Sequence, residues 1–201
     1  MMDEGYIKFD AEWQEAPALP GKQIEELNFW RQEMYRHHLI GGYDNGIGFG
    51  NISQRTGTGD TFIISGSATG LIEQLSAVHF TTVTGFDIEK NKVWCRGPII
   101  ASSETMSHAV VYQQCPDVRG VIHAHHLPLW EYLLGRVPTT DEKATYGTPE
   151  MARSIIDISQ KKQFRKEKIF VMKGHPEGIF VFGETLRKAA ETLLSWVNRL
   201  P

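Results

Sequence analysis

The chain has only two cysteines, Cys95 and Cys115, in 201 residues. They are too few and too loosely placed for a disulfide framework or a thiolate metal site, which makes a reducing cytosol the expected home. No apolar run approaches the roughly 18 to 20 residues that a membrane-spanning helix needs, and the segment Met1 to Asp10 is acidic and polar. A membrane partner is therefore not expected. Charge of one sign is missing as well: 21 Lys and Arg stand against 24 Asp and Glu, for a net charge of −3. The densest basic run is Lys161, Lys162, Arg165, Lys166 and Lys168, at the end of an expected helix. It reads as a solvated helix face, and nucleic acid is not an expected partner. Internal repeats and low-complexity segments are absent. What the chain does have is 41% hydrophobic residues, enough for one core. We expect an N-terminal extension over residues 1–21 and a single domain over 22–201.

Ile24, Leu27, Trp30, Met34 and Leu39 recur at helical spacing from Lys22 to Ile40, with Gly41-Gly42 as the expected stop. Between Gly46 and Cys95 the texture changes to short β-prone runs, Gly50–Ser53, Thr61–Ile64, His79–Val83 and Lys92–Trp94, divided by turns such as Gly57-Thr58-Gly59-Asp60. A helix capped by Ser102 or Ser103 is expected to run to about Gln114 and to be ended by Pro116-Asp117, before a buried strand Val118–Ala124. A short helix near Leu127–Leu134, a helix from Thr148, strands Ile169–Met172 and Gly178–Phe182, and a final helix Glu184–Arg199 complete the pattern. Strands joined by hairpins and flanked by helices predict an α/β protein, a three-layer α/β/α domain with a largely antiparallel central sheet.

His123 and His125 stand two apart at the end of a strand, so both imidazoles leave the same face. His175, in the glycine-flanked turn Lys173-Gly174-His175-Pro176-Glu177-Gly178, is the best candidate for a third ligand. Three nitrogens with an open position are the arrangement of catalytic zinc. Taken alone, the His-x-His pair is equally what two strand-end histidines bonded to backbone carbonyls would look like. Ser102-Ser103-Glu104 adds hydroxyls and free N–H groups at a helix start, where an anion such as phosphate is favoured, and a carboxylate able to act as general acid and base. Taken alone, that tripeptide is also an ordinary cap.

The ordered set Gly50-Asn51-Ile52-Ser53-x-Arg55, Thr69-Gly70, Ser102-Ser103-Glu104-x-x-x-His108, His123-x-His125, Tyr146-Gly147-Thr148 and Gly174-His175 resembles the class II aldolase/adducin family. The resemblance spans about Lys22 to Trp196 and implies that family's fold. It also implies Zn²⁺, or another divalent transition metal, on His123, His125 and His175, with Glu104 as the catalytic carboxylate. A substrate phosphate is implied on Asn51, Thr69, Gly70, Ser102 and Ser103. The implied activity is that of an aldolase-type lyase on a small phosphorylated sugar or hydroxy-ketone, through a metal-stabilised enediolate. Epimerases and a dehydratase of the same family use a similar strategy, and adducin-like members are interaction modules without the full ligand set. A homo-oligomer, up to a tetramer, is the implied assembly.

Several positions depart from the family pattern or carry a separate expectation. Only 21 residues lie between His125 and Gly147, where the sugar-phosphate aldolases carry a longer segment with a catalytic tyrosine. Tyr132 and Tyr146 are the candidates to compensate, although Tyr132 is expected to pack in its short helix. The sequence ends at Pro201, directly after a helix, so no tail is expected to close over substrate. Pro176-Glu177 interrupts the usual His-Gly, and Glu177 is expected to be exposed, with a fourth-ligand or ligand-supporting role as the alternatives. Arg55 is expected to pair with a carboxylate and His108 to orient Glu104, while His126 is left outside the metal set.

Overall fold

The computed structural model describes residues 5–57 and 59–200. Residues 1–4, part of the polar N-terminal segment, and Thr58 of the first glycine-rich turn lie outside the described residues. One eight-stranded sheet organises the molecule. In chain order its strands are β1 (Asp10–Glu15), β4 (Asn51–Arg55), β5 (Phe62–Ser65), β6 (Phe80–Asp87), β7 (Lys92–Gly97), β8 (Gly120–His125), β9 (Ile169–Val171) and β10 (Gly178–Gly183). Their spatial order is β1-β7-β6-β5-β4-β8-β10-β9. Every pairing is antiparallel except β1 with β7. A separate two-stranded ribbon joins β2 (Gly41–Gly42) to β3 (Gly48–Phe49).

Helices cover both faces. Ile63, Ile122, Ile179 and Val181 face α1 (Gly21–Arg36), α3 (Leu127–Leu133) and α6 (Leu186–Val197). Their alternates Phe62, Val121, Phe180 and Phe182 face α2 (Thr105–Gln114), α4 (Pro149–Ser159) and α5 (Lys162–Glu167). All residues of β8 and β10 are buried, as central strands covered on both sides must be. The expected three-layer α/β/α fold with a largely antiparallel sheet is therefore the observed one.

Several boundaries differ from expectation for local reasons. Helix α1 ends at Arg36, ahead of the glycine pair, because His38 adopts a left-handed φ of 56° and turns the chain. Gly41-Gly42 then becomes β2. The basic run does not end a longer helix but forms α5, whose one buried residue is Phe164. The final helix, expected over Glu184–Arg199, runs as α6 from Leu186 to Val197, because Thr185 caps it by accepting the Lys188 N–H. Residues 10–15, within the expected N-terminal extension, add the parallel edge strand β1. Among the described residues no helix is long and apolar enough to cross a membrane.

Candidate metal centre

His123 and His125 project from the end of β8, and His175 sits in the turn that leads into β10. The register Gly178↔His125 and Phe180↔His123 places that turn beside the strand end. Two hydrogen bonds shape the turn, His175 N–H to Met172 O (3.1 Å) and Gly178 N–H to His175 O (3.0 Å). Nε2 of His125 lies 3.1 Å from Nε2 of His123 and 3.1 Å from Nε2 of His175. The three potential ligand atoms all fall within 4.8 Å of one another. Bonds of about 2.0 Å to a tetrahedral ion give nitrogen separations of about 3.3 Å; the two separations from His125 are close to that, and the three-histidine group could hold a divalent metal.

The protonation pattern fits as well. Nδ1 of His123 faces the carbonyl of Ile179 at 3.2 Å, and a carbonyl only accepts. That nitrogen therefore carries the hydrogen, and Nε2 offers its lone pair to the cluster. Burial, reinforced by the other two imidazoles, holds the His123 pKa well below the usual histidine range. Burial does the same for His175. Neutral imidazoles are the form that binds metal.

Glu104 adjoins this cluster. Its Oε2 accepts from the Ser107 hydroxyl at 2.8 Å, while Oε1 is buried without a hydrogen-bond partner among the described residues, 3.8 Å from Nε2 of His175. Burial raises its pKa to about 7, against the opposing effects of the Ser107 hydrogen bond and the Lys8 ammonium. Lys8 is itself a site neighbour that the sequence did not flag. Its Nζ lies 3.8 Å over the Tyr146 ring, whose centroid is 4.8 Å from that of His175.

The sequence matches the model of the Class II Aldolase and Adducin N-terminal domain over residues 32–199. The chain belongs to the class II aldolase and adducin family. Solved structures carry the same fold. An L-fuculose 1-phosphate aldolase aligns with a TM-score of 0.65 at 19% identity, over 90% of this chain and 85% of its own. A sugar-phosphate aldolase from Thermotoga maritima aligns at 0.67 and 12% identity, over 88% and 91%. YgbL from Escherichia coli, a candidate aldolase, epimerase or decarboxylase, aligns at 0.65 and 16%, over 87% and 84%. No curated protein matches the sequence.

In this class II aldolase family member the remaining expected site residues gather at the end of the sheet that carries the histidines. Asn51 pairs with His123 across β4 and β8. The bridge Gly66↔Ala101 brings the loop containing Thr69 and Gly70 alongside Ser102 and Ser103. All five residues are buried. Thr69 is partly committed, because its hydroxyl donates to Gly66 O at 2.8 Å. Gly70 has a steric reason to be glycine, since a Cβ there would stand 2.5 Å from Gly41 O and 2.7 Å from Phe49 N.

Other expectations are corrected. Glu104, and not Ser102 or Ser103, is the N-cap of α2, because Thr105 N–H bonds to Ser102 O and the chain turns once more before the helix. Arg55 binds the carbonyls of Tyr112 and Pro116 and, among the described residues, makes no carboxylate pair. His108 does not orient Glu104; it bridges Ser53 and Asn51. Glu177 is half-buried and accepts a hydrogen bond from Tyr43. His126 caps α3 through Nδ1. Tyr146 is buried and packs on His175, while Tyr132 packs against the core beneath α3. No sequence signal marks Tyr43 or Lys8, whose neighbourhood arises only when the ribbon and the N-terminal segment fold onto the site.

Proposed function

We propose that this family member is a metal-dependent aldolase-type lyase that breaks or forms a C–C bond in a small phosphorylated sugar or hydroxy-ketone. His123, His125 and His175 hold Zn²⁺ or another divalent transition metal, and Glu104 is the catalytic residue. The observation that carries this reading is Oε1 of Glu104, buried without a hydrogen-bond partner among the described residues, beside three convergent imidazole nitrogens. A divalent ion bound there supplies a Lewis acid that polarises a carbonyl oxygen and stabilises negative charge developing next to it.

The chain's own groups do the rest. Glu104 moves the proton at Oε1, with Ser107 holding Oε2 in place. Asn51 is oriented by His108, which bonds its Oδ1 at 2.6 Å, so the amide NH₂ remains for an anion. Ser102, Ser103 and the Thr69-Gly70 pair complete the phosphate side without any Arg or Lys. The intact ligand set with its buried carboxylate favours an enzyme over an adducin-like module. An epimerase or dehydratase would use the same groups and is separated by its products. A homo-oligomer, up to a tetramer, belongs to the same reading.

Protein purified without chelator is expected to hold about one equivalent of divalent metal, and His123→Ala to lose it. A coupled assay for dihydroxyacetone phosphate or glycolaldehyde phosphate, run over a panel of phosphorylated sugars, is expected to find lyase turnover. Glu104→Gln should keep the metal and lose about 10²- to 10⁴-fold in kcat. Bound metal with no release from any phosphorylated sugar would overturn the lyase assignment.

A further inference from the structure

Behind His125, on the side away from the cluster, two residues meet its other ring nitrogen. Tyr43, in the turn between β2 and β3, donates its hydroxyl hydrogen to Oε2 of Glu177 at 2.7 Å. The same hydroxyl oxygen lies 2.9 Å from Nδ1 of His125. A phenol has one hydrogen, and here it is committed to the carboxylate. Toward His125 the hydroxyl can only accept, so Nδ1 of His125 is the donor and Nε2 carries the lone pair.

The consequence follows from the tautomer of His123. Both Nε2 atoms, 3.1 Å apart, then present lone pairs to each other. Such a pair repels unless a cation sits between the two nitrogens. The Tyr43–Glu177 unit thus holds His125 in the one form that opposes an empty cluster and suits a filled one.

Glu177 is placed for this at a backbone cost. Its φ is +69°, in the left-handed region that a residue with a side chain enters reluctantly. The strained turn is held by His126 N–H on Glu177 O at 3.2 Å and by Gly178 N–H on His175 O at 3.0 Å. The Phe49 ring, stacked on His125 with centroids 5.3 Å apart, keeps the imidazole from rotating away.

We infer that Tyr43 and Glu177 are positioning residues that set the metal affinity of the histidine cluster, through a carboxylate–hydroxyl–imidazole chain ending on Nδ1 of His125. The inference rests on the metal-binding reading above. A carboxylate acting through such a chain fixes the ligand and raises its basicity, and loss of such support costs about 10- to 100-fold in affinity.

The test is a Zn²⁺ titration against a chromophoric chelator on wild type, Glu177→Gln, Tyr43→Phe, the double variant and His123→Ala. Melting of each metal-free variant is recorded as a control. Glu177→Gln is expected to bind Zn²⁺ about tenfold more weakly, and Tyr43→Phe about 10- to 100-fold more weakly. The double variant should be no weaker than Tyr43→Phe alone, because both act through one chain. The absorption bands of Co²⁺-loaded protein should shift in both single variants. Affinities within about twofold of wild type in both single variants, or losses that add in the double variant, would overturn the inference. If wild type bound no Zn²⁺, the metal reading itself would fail. If wild type bound it and only His123→Ala lost it, this inference alone would fall.

Discussion

Oδ1 of Asn51 lies 2.6 Å from Nε2 of His108, on the far side of an imidazole whose Nδ1 is 2.7 Å from the Ser53 hydroxyl. Tyr112 closes the row, its hydroxyl 2.9 Å from that of Ser53. An amide oxygen only accepts, so His108 donates from Nε2; burial keeps the ring neutral, which leaves Nδ1 to accept from Ser53.

That neutrality has a measurable cost in acid. Burial pulls the His108 pKa down to about 3, whereas the unfolded chain takes up the proton near 6.5. Between those values the unfolded state binds more protons. The contribution is therefore fully present above about pH 6.5 and is lost as the pH falls toward about 3. One such group gives a slope of about 1.4 kcal/mol per pH unit, and His123, also held low, adds to it. Urea unfolding of metal-free protein at about pH 7 and about pH 5 should show this fall in wild type and a shallower one in His108→Gln. Equal slopes would remove His108 from the account.

Gly178 tests the packing of the ligands. A Cβ there would stand 2.5 Å from Cδ2 of His175, 2.9 Å from its carbonyl and 3.3 Å from Cε1 of His123. The backbone at Gly178 is not left-handed, so only space is at issue. Gly178→Ala is expected to displace the His175 ring, weakening Zn²⁺ binding in the chelator titration and costing about 1–3 kcal/mol of stability. Wild-type affinity in a folded variant would show that the imidazole has room to yield.

Arg31 controls the loop beside the site from below. Its guanidinium is buried and donates to three carbonyls, Glu73 O at 2.7 Å, Thr69 O at 2.9 Å and Gly70 O at 3.1 Å. Burial lowers its pKa to about 10, which leaves it charged at neutral pH. Lysine cannot reproduce that planar fork. Arg31→Lys should lose roughly 2–3 kcal/mol in urea unfolding and, in an active lyase, raise KM for a phosphorylated substrate more than it lowers kcat. An unchanged unfolding midpoint would mean the loop holds itself.

Much of this was legible in the chain because the signals are local. The buried apolar run of β10 and the helix start at Thr148 depend on near neighbours, as does the two-residue spacing of His123 and His125. The family motifs then linked Glu104 and His175 to that pair. The sheet itself followed from the texture of the runs, but β1 did not, because a six-residue strand with five exposed positions carries no hydrophobic alternation.

What the sequence by itself determined is the layered fold and the identity of the groups that meet, because backbone periodicity and residue chemistry are properties of short stretches. Only the tertiary structure decided how those groups are supported. Tyr43 reaches Glu177 across 134 positions, and His108 reaches Asn51 across 57. Lys8 lies over Tyr146 from a segment outside the family match. Such pairings arise when strand order and turn geometry bring distant side chains within a few ångströms, a condition no local pattern encodes. Glu177 shows the difference most plainly: in sequence it is one charged residue in a turn, and in the fold its carboxylate accepts from the Tyr43 hydroxyl that in turn meets Nδ1 of His125.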